Sequence, residues 1–222
     1  MEVILKVSND GSNTLFVPSL NEHYHSTNGA ITEALHVYIK EGLQFYLNSD
    51  GANRDVNILE IGFGTGLNAL VTALDGSYTR LNYDGLELNP LSLESTSGLH
   101  YFDQLGGESE ELFAKITHAQ WDVSCSITDS MSLRKIHQDI NCWQSDRRYQ
   151  VVYFDAFAPE VQPEMWEPEV LSKIAELTLP NGVLTTYCAK GEVRRRLQAV
   201  GFKVYRIPGP PGKREMIRAV KI

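Results

Sequence analysis

The fold is decided by one stretch, Asn57-Ile58-Leu59-Glu60-Ile61-Gly62-Phe63-Gly64-Thr65-Gly66. An apolar, β-branched run ends there in three glycines spaced by two, and an amphipathic run, 67–74, follows. Strand, tight turn and helix in this order are how an open α/β sheet builds a nucleotide pocket at the carboxyl end of its first strand. A second acid, Glu87, lies 21 residues after Gly66, about the separation at which a carboxylate reaches a ribose hydroxyl. We therefore favour a nucleotide pocket over an ordinary βα turn.

The glycine spacing indicates which nucleotide is bound. A dinucleotide fingerprint has the form G-x-G-x-x-G, whereas position 67 here is leucine. A glutamate before the first glycine is unfavourable beside a diphosphate and suits a cationic ligand without phosphate. The E-x-G-x-G-x-G form resembles the first motif of class I S-adenosylmethionine-dependent methyltransferases. That resemblance implies a sulfonium and an amino-acid tail over the turn, held by Glu60, Gly62, Gly64, Gly66 and Glu87.

The composition is that of a globular protein in a reducing compartment. The chain has 222 residues, 42% hydrophobic and 22% charged, enough for one domain with a substantial core. No apolar run approaches the roughly 20 residues of a spanning helix, and the N-terminus does not resemble a signal peptide. Three widely separated cysteines favour a reducing environment over a disulfide framework. We expect a cytoplasmic protein that binds no membrane.

The net charge of −8 hides an asymmetry along the chain. Residues 190–222 carry ten lysines and arginines against two acids, whereas the other 189 residues carry a net charge of −16. A basic face on an acidic body can still bind phosphates, because charges interact locally within a screening length of about 10 Å at 0.1 M salt. The same charges would also fit a solvated helix face beside an edge strand, so charge alone leaves both interpretations open.

Periodicity and turn signals predict an α/β fold in a single domain covering residues 1–222. Residues 1–50 form an N-terminal extension, a β-hairpin closed by an Asn-Asp-Gly turn and followed by a helix. Residues 51–222 form a Rossmann-like core, a mostly parallel, doubly wound sheet with an antiparallel last strand.

Within this core, residues 121–128 are predicted as the third strand, ending at Asp129. Asp129 is then placed either against the adenine amino group or as the N-cap of a helix over 132–140, and both roles are compatible. The run 149–154 is typical of a central strand buried on both faces. It delivers Asp155 to the sheet edge that carries the glycines.

Asp155 is the candidate catalytic residue. An amine that accepts a methyl group must be neutral, with its lone pair directed at the methyl carbon. A carboxylate can accept a hydrogen bond from that amine and stabilise the ammonium that forms. Asp155-x-x-x-Pro159 resembles the Asp-Pro-Pro-aromatic type of motif of amine methyltransferases, although a helix cap or loop carboxylate would explain the same residue. His23 and His25 have no partner pattern typical of a metal site, and no metal is expected.

A more specific resemblance covers nearly the whole chain. The chain is similar to the methyltransferase domain of MnmC-type proteins, which modify the tRNA wobble uridine, in the stand-alone form called MnmD. The matching segments occur in the order Asn21-Glu22-x-Tyr24-His25-Ser26-x-x-Gly29-Ala30, Glu33-Ala34-x-His36-Val37, Ile61-Gly62-Phe63-Gly64-Thr65-Gly66-Leu67-Asn68, Phe154-Asp155-Ala156-Phe157-Ala158-Pro159, Pro163-Glu164-x-Trp166, Val193-Arg194-Arg195-x-Leu197-Gln198-x-x-Gly201-Phe202 and Gly212-Lys213-Arg214-Glu215-Met216.

The resemblance implies a reaction and a set of residues. A methyl group passes from S-adenosyl-L-methionine to the primary amine of 5-aminomethyl-(2-thio)uridine in a tRNA anticodon, with Asp155 as the catalytic carboxylate. No flavin is expected, because the oxidase module of two-domain members is not seen after the last predicted strand. The segment 160–162 departs from the family by lacking a lysine. Expected base contacts are Tyr24, His25, Phe157 and Pro159, and expected phosphate contacts are Lys190, Arg194, Arg195, Lys213 and Arg214.

Other functions share parts of this pattern. Aminopropyl transfer to a small amine uses a decarboxylated relative of the same cofactor on a similar sheet, but it would want more acids in the pocket and no basic C-terminal face. Another class I N-methyltransferase acting on a small amine would keep the same cofactor motif. A non-catalytic tRNA-binding module would have no need for Glu60, Glu87 and Asp155. The sequence does not indicate an oligomeric state.

Overall fold

A computed structural model describes residues 2–49 and 51–222 of the protein. In those residues, strands form a small N-terminal sheet and a larger central sheet. The N-terminal sheet contains β1 Ile4–Val7, β2 Asn13–Val17 and β3 Glu22–His23. The central sheet contains β4 Asp55–Ile61, β5 Arg80–Glu87, β6 Ser124–Ser126, β7 Met131–His137, β8 Tyr149–Phe154, β9 Thr178–Thr186, β10 Phe202–Pro208 and β11 Glu215–Lys221.

One long helix follows the N-terminal sheet and changes its pitch. It starts as α1 Ala30–Ala34, continues as a π-helix over Leu35–Gln44 and ends as α2 Phe45–Leu47. The apolar spacing of Ile31, Leu35, Tyr38, Ile39 and Tyr46 predicts that these residues share one buried face of the helix, yet Leu35 is 40% exposed. The i to i+5 hydrogen bonds of a π-helix widen the turn and rotate side chains away from the positions of an α-helix. The other helices are α3 Leu67–Asp75, α4 Leu93–Thr96, α5 Phe102–Leu105, α6 Glu108–His118, a 3₁₀ turn Pro163–Trp166, α7 Pro168–Leu177 and α8 Gly191–Ala199.

The central sheet has the order β10-β11-β9-β8-β4-β5-β7-β6. Its five middle strands, from β9 to β7, are parallel to one another. At one end β11 lies antiparallel between β9 and β10, and at the other end β6 is antiparallel to β7. The predicted class, a mostly parallel α/β sheet with an antiparallel last strand and an N-terminal hairpin, is confirmed.

Apolar side chains project from both faces of the central sheet. On one face Ile58 and Tyr153 pack with the long helix and α3, and on the other Leu59 and Phe154 pack with α7 and α8. Strands that are covered on both sides need apolar residues at consecutive positions, and both strands have them. The core therefore lies in two layers, with β4 and β8 at the centre of the sheet.

The predicted third strand at 121–128 and the predicted helix at 132–140 are wrong. The parallel strand beside β5 is β7; within the predicted range only the three residues of β6 and an isolated bridge from Trp121 to Lys135 pair. Residues 131–134, Met-Ser-Leu-Arg, alternate between buried and half-buried, which is the period of a strand. Arg134 also forms a two-pronged ion pair with the fully buried Asp84, at 2.9 and 3.0 Å. This pairing compensates both charges inside the structure.

Candidate active site

The glycine turn brings the ends of β4 and β8 into close contact. Gly62 has a φ of +86°, and a Cβ atom there would lie 2.6 Å from the backbone oxygen of Asp155. Gly64 has a φ of +52°, and its Cβ would lie 3.1 Å from the ring of Tyr24. Gly66, at a φ of +81°, is the left-handed residue from which α3 begins. Glycine is required where backbones approach this closely at positive φ.

A cavity of about 250 Å³ lies at this carboxyl edge of the sheet. Residues that follow β4, β5, β7 and β8 line it, and we call it the carboxyl-edge cavity. Every charged side chain in its described lining is acidic, namely Glu87, Asp139, Asp155 and Glu164. Such a lining attracts a cation and repels a diphosphate. The cavity, with Gly62 and Gly64 in its lining, therefore fits a sulfonium with an amino-acid tail.

Asp155 lies half-buried in this cavity, with both carboxylate oxygens hydrogen bonded. The Tyr38 hydroxyl donates to Oδ1 at 2.5 Å, and Asn68 Nδ2 donates to Oδ2 at 2.8 Å. Burial raises the pKa of Asp155 to about 7, and the carboxylate of Glu33 contributes in the same direction. The two hydrogen bonds and the ammonium of Lys213 oppose this rise. Asp155 can thus exchange a proton near neutral pH, which suits a general base.

Glu60 lies behind Asp155 and does not line the cavity. It is 0% exposed, and its oxygens accept hydrogen bonds from Asn68 Nδ2 and the Tyr83 hydroxyl, both at 2.8 Å. Burial, and next the charge of Asp155, raise the pKa of Glu60 well above its usual range. The prediction that Glu60 binds the cofactor directly is therefore wrong. Its carboxyl group instead shares one amide, that of Asn68, with Asp155.

The acids that follow β5 and β7 are placed differently from each other. Glu87 lines the cavity as predicted, and its carboxylate accepts from the backbone N–H groups of Gly64 at 3.0 Å and Asn89 at 2.8 Å. Asp129 lies in the turn before β7. The backbone oxygen of the next residue, Ser130, accepts a hydrogen bond from the N–H of Leu81, at the start of β5. That turn is at the amino edge of the sheet, so the prediction that Asp129 reaches the cofactor is wrong. Asp139, just after β7, lines the cavity instead.

Three of the four predicted base contacts line the cavity. The rings of Tyr24 and Phe157 meet edge to face, with centroids 5.3 Å apart. His25 Nε2 lies 2.7 Å from Thr65 Oγ1. Burial, and then the charge of Lys213, lower the pKa of His25 to about 4, so the imidazole is neutral at pH 7. Pro159 is absent from the described lining.

The predicted phosphate contacts fall into two groups. Lys190 is ion paired with Glu160, the residue that stands where the family pattern has a basic segment, and Lys213 is ion paired with Glu33. These two lysines are therefore not free cations. Arg195 and Arg214 are exposed, Arg194 is half-buried, and these three form no ion pair with the described residues.

Tyr38, Asn68 and Asp139 are site residues that the sequence does not identify as functional. The sequence predicts Tyr38 only as a core residue of the helix, and Asn68 only as part of a motif. For Asn68 and Asp139 the available signal is their position, at the start of α3 and just after β7; Tyr38 lies inside the long helix and has no such signal. Within the described chain, no group of three or more His, Cys, Asp or Glu side chains could hold a metal ion. The described helices include none with the length and apolarity needed to cross a membrane.

The comparisons with known proteins agree with this geometry. A family described as S-adenosyl-L-methionine-dependent methyltransferase matches residues 108–222. Two relatives carry the name "tRNA 5-methylaminomethyl-2-thiouridine biosynthesis bifunctional protein MnmC". The one from Cupriavidus necator is 31% identical over 90% of this chain, and the one from Cupriavidus metallidurans is 30% identical over 95%. In both cases the chain spans 32% of the relative's own length.

Solved structures show the same fold. MNMC2 from Aquifex aeolicus superposes with a TM-score of 0.80 at 24% identity, over 98% of this chain and 70% of that protein. A spermidine synthase in complex with the transition-state analogue AdoDATO superposes with a TM-score of 0.56 at 12% identity, over 99% of this chain and 73% of that one. At these identities the likeness concerns the fold alone.

Proposed function

The chain belongs to the S-adenosyl-L-methionine-dependent methyltransferase family, and from this premise we propose that it methylates the primary amine of 5-aminomethyl-(2-thio)uridine at the wobble position of tRNA. The product is 5-methylaminomethyl-(2-thio)uridine. One observation carries the choice of an amine: Asp155 is fixed through both oxygens in an acid-lined cavity and has a pKa near neutrality. The tRNA nucleoside is suggested by the names of the MnmC relatives.

The lining of the cavity supports a proposal for the cofactor contacts. The backbone at Gly62 and Gly64 and the carboxylate of Glu87 would hold S-adenosyl-L-methionine, with Asp139 at the neighbouring strand end. Glu87 is itself oriented by the N–H of Gly64, so the acid and the turn form one unit. When bound, the cofactor supplies a sulfonium methyl group, whose C–S electron pair stays on sulfur as the nitrogen lone pair forms the new N–C bond.

Asp155 and its partners perform the proton chemistry. The carboxylate accepts a hydrogen bond from the amine and orients the nitrogen lone pair towards the cavity. As the N–C bond forms, the nitrogen gains a positive charge, which the carboxylate stabilises before it takes the proton. Tyr38 and Asn68 hold the two oxygens in place. The rings of Tyr24 and Phe157 offer apolar surfaces to an extruded base, since bases bound outside a helix stack on aromatic side chains.

The basic side chains near the cavity support an RNA substrate. Arg214 is adjacent to Lys213, which packs behind the cavity wall, and Arg195 is on α8, which begins beside the Lys190–Glu160 pair. Removing one phosphate-binding cation should reduce the salt dependence of binding by about one unit in the log–log slope. We expect Arg195→Gln together with Arg214→Gln to weaken tRNA binding and flatten its salt slope; an unchanged slope would exclude these two arginines.

Labelled methyl transfer tests the reaction. Bulk tRNA from a strain that lacks this activity is incubated with the protein and methyl-labelled S-adenosyl-L-methionine, and the nucleosides are then analysed. We expect label in 5-methylaminomethyl-(2-thio)uridine, and an Asp155→Asn rate lower by about 100-fold or more with cofactor binding retained. Asp129→Asn, at the opposite sheet edge, is the matched control and should keep the parent rate.

The same assay separates the alternatives. An acid-lined cavity would also suit aminopropyl transfer to a small amine. A parallel reaction therefore contains the decarboxylated cofactor and a small polyamine acceptor. Transfer from that donor but not from S-adenosyl-L-methionine would overturn the proposal. Label in a different nucleoside would overturn the wobble-uridine substrate while keeping methyl transfer. tRNA binding without any transfer would instead favour a non-catalytic binding module.

A further inference from the structure

Lys213 occupies a position that a phosphate-binding lysine would not need. It donates a hydrogen bond to Glu33, which is itself only 8% exposed, and its Nζ lies 4.1 Å from the centroid of the Tyr187 ring. A carboxylate on one side and an aromatic face on the other hold the ammonium in one place. Lys213 is therefore a half-buried charge held in one place, whereas the neighbouring Arg214 is exposed.

The groups that hold Lys213 are hydrogen bonded to the backbone of residues that adjoin the cavity lining. The Tyr187 hydroxyl donates to the backbone oxygen of Ala156 at 2.9 Å, directly after Asp155. On the other side, Glu33 accepts from the backbone N–H of Ser26, directly after His25. Residues 25, 155 and 156 line the carboxyl-edge cavity. Lys213 thus lies between the two segments that form this wall of the cavity.

One other basic side chain, Arg218, is also held between a carboxylate, Glu41, and an aromatic face, Phe45. Lys213, however, is the cation whose charge lowers the pKa of Asp155. Arg134 and Arg147 are paired with Asp84. The other groups that face Lys213 or Asp155 are neutral or acidic. From the elements packed around them, these groups are Glu22, His25, Glu33, Tyr38, Glu60, Tyr187 and Cys188.

We propose that Lys213 is a positioning residue of the methyl-transfer site, whose fixed ammonium behind Asp155 selects the neutral form of the substrate amine. This inference rests on the proposed function, since it takes a primary amine as the substrate. A cation near the amine disfavours a second positive charge there, so the amine sheds its proton more readily. The same cation favours the ionised form of Asp155, which must accept the proton released after the methyl group has been transferred. Both effects make the site competent at lower pH.

The pH profile of kcat/KM tests this role. Lys213→Met removes a positive charge that lowers the pKa of Asp155, so this pKa should rise. The substrate amine should likewise keep its proton up to a higher pH. The rising, acid side of the profile should therefore move up by about one pH unit, which is about a tenfold loss of kcat/KM at a fixed pH below it. At alkaline pH the variant should recover the parent rate. Lys213→Arg should restore the parent profile, and Lys115→Met, which removes an exposed charge on α6, should not move it.

A second pair of variants guards against misfolding. Lys213→Met leaves the buried carboxylate of Glu33 without its partner, so Lys213→Met/Glu33→Gln removes both charges. Because these two charges act in opposite directions on the pKa of Asp155, the double variant should return the profile towards that of the parent. Glu33→Gln alone should move it to lower pH. A rate lowered equally at all pH values, with no movement of the profile, would reduce Lys213 to a structural residue and overturn the inference.

One measurement separates this inference from the proposed function. The carboxyl ¹³C resonance of Asp155, identified by its loss in Asp155→Asn, can be titrated in the free protein without any substrate. Its midpoint should lie higher in Lys213→Met than in the parent. If tRNA is not methylated but the midpoint moves, the proposed substrate is wrong and the control of Asp155 by Lys213 stands. If tRNA is methylated and the midpoint does not move, the inference about Lys213 is wrong.

Discussion

Asp155→Asn should make the protein more stable at neutral and alkaline pH while abolishing most of its activity. The substitution preserves the size and shape of the side chain and its acceptor oxygen for the Tyr38 hydroxyl. At Oδ2 it replaces an acceptor of the Asn68 Nδ2 hydrogen bond by an amide donor, a cost that does not depend on pH and so cancels when two pH values are compared. What the substitution removes is the ability of position 155 to carry a charge. The change in stability therefore measures the cost of that charge.

The sign follows from the raised pKa. Between pH 3.8 and about 7 the Asp155 carboxyl is ionised in the unfolded chain but keeps its proton in the folded protein. The unfolded state binds fewer protons over this range, so the stability of the parent falls as the pH rises. The loss is complete above pH 7 and amounts to about 4 kcal/mol, from about three pKa units at 1.36 kcal/mol each. About 3 kcal/mol of it falls between pH 5 and pH 8.

Chemical denaturation of both proteins at pH 5 and pH 8, without ligand, measures the effect. The free energy of unfolding of Asp155→Asn minus that of the parent should increase by about 3 kcal/mol between these pH values. Asp129→Asn, an exposed acid at the other edge of the sheet, should show no such increase. A difference for Asp155→Asn that is constant with pH would refute the argument, because the carboxylate would then cost nothing to ionise in the folded protein.

Two further comparisons use pairs of similar residues. Gly62→Ala should destabilise the protein by about 1–3 kcal/mol more than Gly76→Ala and should prevent cofactor binding. Both glycines have positive φ, but only Gly62 has a backbone oxygen 2.6 Å from the added Cβ. Equal losses of stability in chemical denaturation would show that close packing is not the reason for glycine at position 62. Asp139→Asn should weaken S-adenosyl-L-methionine binding by about tenfold, measured by calorimetry, whereas Asp129→Asn should not; the reverse result would restore Asp129 to the cofactor site.

Local signals in the sequence are sufficient to predict the main strands and turns of the central sheet. Short stretches predict the glycine turn after β4, the apolar run of β8 and the antiparallel pair at the C-terminus. All three depend on the backbone or on complete burial, which leave a clear local pattern. The sheet edge that carries Asp155 follows from the same rule, because parallel strands end at a common edge.

The wrong predictions concern side chains whose partners are distant in the sequence. The sequence predicts a helix where β7 lies, since its polar residues look exposed, whereas Arg134 is compensated by Asp84, 50 positions earlier in the chain. That error places Asp129 at the wrong edge and leaves Asp139 unnoticed. Glu60 is assigned to the cofactor through the glycine motif, and Lys213 is assigned to phosphate through the family resemblance. Their partners Asn68, Tyr83 and Glu33 can be recognised only in three dimensions.

The position of Asp155 explains why so many polar groups surround one acid. Burial and the charge of Glu33 oppose its ionisation, and Tyr38, Asn68 and Lys213 favour it. With only the first two the carboxyl would stay protonated and could not accept a proton from the amine. With only the last three it would ionise fully at low pH and would be too weak a base. The balance holds its pKa near the pH at which the reaction must run. Asn68 adds to this balance because its single Nδ2 group donates to both Asp155 and Glu60 and lowers the pKa of each, against the burial that raises both.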